Sequence, residues 1–201
     1  MTHYTGDTVV VDAQDLVDDL RDEQDRIEAE EQRLHEDDAV DITDSEFVGL
    51  ADDETAADVD DAEFREWLGK EWREREHTID ELETLFHEWG GSKFTIKHLT
   101  AGDTARIDDW TVSKAIAEDQ TDPRTQVSAS QNMTVAVGLT NTPGAPSEDK
   151  QDGLEYVRET LPNELVKWLY DRIESLTNYG EAELDDFSPF PDRSGDASAP
   201  N

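Results

Sequence analysis

Chemistry in this chain has to come from histidine, carboxylate and hydroxyl groups. Cysteine is absent, and with it any thiolate nucleophile, thiolate zinc site or disulfide framework. The five histidines are His3, His35, His77, His87 and His98. A zinc hydrolase needs two imidazoles one helical turn apart, with a glutamate beside the first. His87-Glu88 begins that pattern, but Trp89-Gly90-Gly91 follows and no second histidine closes it. Gly90-Gly91-Ser92-Lys93 places a lysine after glycines, yet lacks the longer glycine frame whose backbone N–H groups surround a phosphate. No Gly-x-Ser-x-Gly turn raises a serine as nucleophile. Asp58-Val59-Asp60-Asp61 hints at a calcium loop but lacks the turn glycine and the terminal bidentate glutamate. With 52 Asp and Glu in the chain, no single carboxylate pair marks an acid–base site, because most must be solvated surface. Asn132-Met133-Thr134 matches a glycosylation triplet, which carries little weight without a secretory signal. The expectation is a protein that is not an enzyme and uses no metal or cofactor.

The acids face only 17 Lys and Arg, for a formal net charge of −35. In dilute buffer such self-repulsion opposes a compact state. Near 1 M salt the Debye length falls to about 3 Å, and the same chain can fold. The acid is spread along the whole sequence rather than gathered in one block. That distribution points to the cytoplasm of a salt-accumulating halophile, or to a virus replicating there, over a nucleic-acid mimic or acidic chaperone in ordinary salt. Cations so few and dispersed form no basic patch, so nucleic acid is not an expected partner. Met1-Thr-His-Tyr-Thr-Gly-Asp has neither a basic start nor an apolar core, and no apolar run reaches the roughly 18 residues of a membrane span. A soluble, cytoplasmic protein without a membrane partner is expected.

The best-specified local structure lies between Gly90 and Ile116. Phe94 and Ile96 alternate with Thr95 and Lys97 after a Gly-Gly break, which predicts a strand. Thr100 then stands as an N-cap with Asp103 three residues on, a capping box with Asp in place of Glu. Ala105, Ile107, Trp110, Ala115 and Ile116 give the following helix an apolar side that Val112 fits less well. Upstream, residues 1–8 are expected to fray, and Val9-Val10-Val11 is a short strand or the lead-in to a helix over Asp12–His35. In that helix Ala13, Leu16, Leu20, Ile27 and Leu34 sit near heptad spacing, but Glu23 and Glu30 occupy the remaining seam positions. Such a seam is too weak for a coiled coil alone, and a solvated helix loosely attached to the domain is expected. Residues 37–61 have the composition of a disordered linker, interrupted by Phe47-Val48-Gly49-Leu50, which either docks on a partner or packs back. From Ala62 to Trp89, Phe64, Trp67, Leu68 and Trp72 share one helical face. Thr78 with Glu81 reads as a second capping box, implying two helices or one bent at His77-Thr78, closed by Gly90-Gly91.

Downstream, residues 118–124 read as a loop, and Gln131–Leu139 as a buried helix or a strand. Asn141 to Pro146 is a break, followed by a helix over roughly Lys150–Thr160. A second helix enters through Leu161-Pro162 and stops at Gly180. The fold class expected is mainly α: a small helical domain with one or two short strands, flanked by acidic disordered segments. The domains expected are 1–61, an acidic region with one helix and a linker; 62–180, a mostly helical globular domain; and 181–201, an acidic tail.

Residues 90–180 resemble the tail assembly chaperones of long-tailed, siphovirus-like phages and related archaeal viruses. The resemblance rests on Phe94-Thr95-Ile96-Lys97-His98-Leu99, on Thr100-Ala101-Gly102-Asp103, on the Met133–Leu139 run, and on Leu161-Pro162-Asn163-Glu164-Leu165 through Tyr170. It implies a non-catalytic protein of a haloarchaeal tailed virus that coats the tape-measure protein and keeps that long helix soluble. It would deliver its cargo to the tail tube protein and be absent from the mature virion. A homo-oligomer is a candidate state. Candidate groove residues for the partner helix are Phe94, Leu99, Trp110, Leu165, Trp168, Leu169 and Ile173. The same residue types also build an ordinary core. The alternatives are a structural or scaffold-like component of the virus particle and a host haloarchaeal adaptor.

Overall fold

The computed structural model describes residues 8–36, 45, 47, 61–117, 123–143 and 153–179. Its element order is β1 (Thr8–Asp12), α1 (Gln14–Glu36), α2 (Asp61–Trp89), β2 (Lys93–Lys97), α3 (Ala101–Ala117), α4 (Pro123–Gly138), β3 (Leu139–Asn141), α5 (Gly153–Thr160) and α6 (Asn163–Tyr179). The protein is mainly helical, with one small sheet. The expected acidic tail, most of the linker over 37–60, the frayed residues 1–7 and the stop at Gly180 lie outside the described residues.

Contacts divide the chain into two compact units, residues 14–89 and residues 1–13 with 90–201. The division falls at Gly90, inside the stretch 62–180. The reason is that α2 packs against α1, and the expected solitary, solvated α1 is one half of a helical hairpin. Cross-hairpin partners run in opposite directions along the chain: Arg21 with Glu83, Gln24 with the Trp72 carbonyl, Arg65 with the Leu34 carbonyl. Opposed order of this kind means antiparallel helices. Leu16, Val17, Leu20, Ile27 and Leu34 on α1 are buried, as are Phe64, Leu68, Ile79, Leu82 and Phe86 on α2. Most of them are three, four, seven or eleven residues apart, spacings that return to one helical face.

The charged seam positions are satisfied rather than defective. Glu23 Oε2 accepts from Arg75 Nε at 2.6 Å, and Arg75 also pairs with Glu71 at 2.7 Å. Burial opposes the Arg75 charge, but its bonds with Glu71 and Glu23 outweigh that and raise its pKa. The helix α2 is unbroken through His77 and Thr78. Thr78 is no cap there: its hydroxyl donates to the Glu74 carbonyl one turn back, at 2.9 Å. Gly90 ends the helix at φ 68°, the left-handed conformation that favours glycine at this place.

In the other unit the sheet order is β1-β2-β3, antiparallel throughout. Opposed pairs Val9↔Ile96 and Val11↔Phe94 share one face, where Phe94 and Ile96 have no exposure; Val10 lies on the other face and is 61% exposed. Thr140 makes a bulge between the pairs Thr95↔Asn141 and Ile96↔Leu139, and its hydroxyl donates to the Thr95 carbonyl at 3.1 Å. A strand as short as β3 carries no periodicity of its own, which is why Gln131–Leu139 stayed ambiguous in the sequence. Most of that run is helix α4, which Pro123 opens from what had read as loop.

Candidate functional site

The expected groove draws on β2, the turn after it, α3 and α6. The capping box forms as read: Asp103 N–H donates to Thr100 Oγ1 at 3.2 Å, and Asp103 Oδ2 accepts from the Thr100 N–H at 3.2 Å and its hydroxyl at 2.9 Å. Lys97 Nζ reaches the same carboxylate at 3.2 Å, fastening the end of β2 to the start of α3. Burial pushes the Asp103 pKa up, but bonds from Thr100 and Lys97 prevail and hold it below the usual carboxylate range. One residue before the cap, Leu99 N–H donates to Thr177 Oγ1 at 3.1 Å, which ties the strand's exit to α6.

Pro162 stands immediately before helix α6, and its carbonyl accepts from Val166 N–H at 3.0 Å. Its apolar stripe is wide: Leu165, Val166, Trp168, Leu169, Ile173 and Leu176 are all buried. The stripe meets α4 closely. A Cβ on Gly138 would lie 2.6 Å from Ile173 Cδ1, so only glycine permits this approach. The Arg172 guanidinium lies 5.0 Å from the Trp168 ring centroid, while Trp168 Nε1 and Ser175 Oγ have no hydrogen-bond partner.

This geometry corrects the expected groove. Phe94, Leu165, Leu169 and Ile173 have no exposure, and Leu99 and Trp168 are buried, so these six side chains are core rather than an open surface. The physical reason is that α4 and β2 already cover the stripe a partner helix would have used. Of the seven, Trp110 alone stays half-buried.

What the unit does leave open lies on α3 and α4, which pack together. Val112 on α3 and Val127 on α4 are 58% and 57% exposed. Asp108 and Asp109, one turn before Val112 on the same helix, are exposed as well. An exposed valine with acidic neighbours suits contact with a helix whose apolar face is flanked by Lys or Arg. Val112 had a signal in the sequence, as the apolar residue that falls off the α3 stripe. Val127 had none.

Among the described residues, no group of three or more His, Asp or Glu is placed to hold a metal ion, and no helix is long and apolar enough to cross a membrane. A cleft beside α5, lined by Leu154, Glu155, Arg158 and Glu159, has a volume of about 450 Å³. Compared with protein-family models, curated protein sequences and solved structures, the chain matches none.

Proposed function

We propose that this chain is a tail assembly chaperone of a haloarchaeal tailed virus, which binds the tape-measure protein and keeps its long helix soluble until the tail tube forms. The observation that carries the reading is the order of elements within one compact unit. A strand, a Thr100–Asp103-capped helix, a Val/Ala-rich helix and a Leu-Pro helix succeed one another from Lys93 to Tyr179. That is the order on which the resemblance of residues 90–180 rests. On this reading the partner helix meets Val112 on α3 and Val127 on α4 rather than the α6 stripe, because the stripe is enclosed. The acidic surface keeps the complex dispersed in molar salt, where its own repulsion is screened.

The test is co-expression with a tape-measure protein in molar KCl, capture on a tag, and mass spectrometry of purified virions. Capture of the tape measure together with absence from virions supports the chaperone. Presence in the virion at fixed copy number makes the chain a structural component. Encoding away from any tail genes, with no capture, makes it a host adaptor.

A further inference from the structure

Strand β1 is an edge of the sheet, with β2 on one side and no described strand on the other. The two edges differ. β3 is three residues long and bulged at Thr140, and both features blunt an edge against further pairing. β1 has neither. Its register with β2 runs unbroken from Thr8↔Lys97 to Asp12↔Lys93, and Thr8-Val9-Val10-Val11-Asp12 holds no proline or lysine.

One bond decides which backbone groups that edge presents. Ala13 N–H donates to the Ser92 carbonyl at 2.9 Å, and the two residues continue the β1–β2 register as an opposed pair. In an antiparallel ladder, bonded and unbonded opposed pairs alternate. Val9 and Val11 therefore turn their N–H and C=O groups to β2, and Thr8, Val10 and Asp12 turn theirs to the open edge. The Val10 side chain is 61% exposed, and Val9 is half-buried on the face where Ile96 has no exposure.

We propose that this edge is the interface between two copies of the chain, whose β1 strands pair antiparallel about Val10 and join two three-stranded sheets into one. A second copy fits because the strand has the same pattern in either direction: polar, three valines, polar. With the whole strand overlapped, Val10 stands opposite Val10, Thr8 opposite Asp12, and Val9 opposite Val11. The outward N–H and C=O groups of Thr8, Val10 and Asp12 then find partners across a two-fold axis. Val9 gains a valine on the inner face, which completes a cover that one copy leaves partial. Charge agrees as well, since no carboxylate is set against another. Each Asp12 lies in a row between its own Lys93 and, beyond the second copy's Thr8, that copy's Lys97, the lysine that also holds Asp103. In a chain of net charge −35, that arrangement spares the contact the repulsion expected of two like surfaces.

The inference concerns β1 and β2 and stands whether or not the chain binds a tape measure. A junction five residues long falls below the roughly 1,200 Å² of a standard stable interface, so the dimer forms as concentration rises. The test is sedimentation velocity of the full chain in molar KCl up to about 1 mM, the weak end of measurable association. The parent is expected to pass from monomer to dimer, and Val10→Pro to dimerise at least tenfold more weakly. Proline removes an N–H that faces the open edge and not β2, so the sheet keeps its own bonds. A parent monomeric throughout overturns the proposal, as does a dimer that Val10→Pro leaves unchanged. Should Val10→Pro not fold, Val10→Cys serves, in a chain with no other cysteine. Opposed Cα atoms about 5.5 Å apart allow a disulfide, so mild oxidation should give a covalent dimer. Thr8→Cys, whose opposite residue is Asp12, should give at least tenfold less. Equal yields from the two overturn the proposal.

Discussion

The α1–α2 hairpin and the unit around α6 answer the same composition in different ways. The hairpin closes with charge. Its cross-helix fastenings are Arg21 to Glu83, Arg75 to Glu23 and Arg65 to the Leu34 carbonyl, with Glu71 bracing Arg75 from its own helix, and its apolar pocket is filled by a phenylalanine from outside both helices. The α6 unit closes with apolar burial under β2 and α4, fastens the end of β2 to α3 through Lys97 and Asp103, and leaves Val112 and Val127 uncovered. One unit satisfies its apolar surface internally and depends on arginine. The other depends on packing.

The sharpest way to break the contrast is a cavity. Leu165→Ala or Leu169→Ala removes a fully buried side chain and should cost about 3 kcal/mol. Hydrogen-exchange mass spectrometry should show faster exchange in α4 and α6 with α1 and α2 unchanged. Second in size is Arg75→Ala, which leaves Glu23 and Glu71 facing each other in a partly buried seam and should cost about 2–3 kcal/mol. Replacing Glu23 and Arg75 together by leucine should recover most of that loss, a result that chemical denaturation in molar KCl can read. A smaller effect, about 1 kcal/mol, is expected for Thr100→Ala, which removes the capping hydroxyl from α3. Arg21→Ala, at an exposed pair, should cost under about 1 kcal/mol and lose even that as salt rises.

Acid titration separates the same units. The folded pKa values of Glu30 and Asp103 are lowered, so each contributes stability that is present above its ordinary carboxylate pKa and lost as pH falls through the lowered value. Glu30→Gln should flatten the acid limb for the hairpin and Asp103→Asn for the α6 unit, measured as melting temperature between about pH 7 and pH 3. Asp171 runs the other way. Burial, with Glu174 adding to it against Arg172 and Lys167, raises its pKa, so its cost fades as the group protonates. The acid limb of the α6 unit is accordingly shallower than Asp103 alone would make it.

What could be read from the sequence was whatever a few adjacent residues decide. The Thr100–Asp103 box, the Gly90 stop, the Phe94-x-Ile96 alternation and the entry at Pro162 need only neighbours, and each appears in the structure. Thr78 shows the limit, because a threonine followed by Glu81 is compatible with an N-cap and with a hydroxyl bonded back to Glu74 inside a continuous helix. Glu23 looked like a flaw in the α1 seam until Arg75 arrived from 52 residues away. The groove residues failed for a related reason: Leu165, Leu169 and Ile173 have the same types and spacing whether they meet α4 or a partner, and only the fold says which. Val127 was hidden because it falls between the loop read over 118–124 and the Gln131–Leu139 run, where no pattern marks a helix.

The central claim is the proposal that Val112 on α3 and Val127 on α4 meet the partner. The measurement is tag capture of a co-expressed tape-measure protein in molar KCl by the parent chain and by the double variant Val112→Asp, Val127→Asp. Both valines are exposed, so the variant should melt with the parent. The account predicts capture by the parent and at least a tenfold loss in the variant. Equal capture by both, or none by the parent, contradicts it.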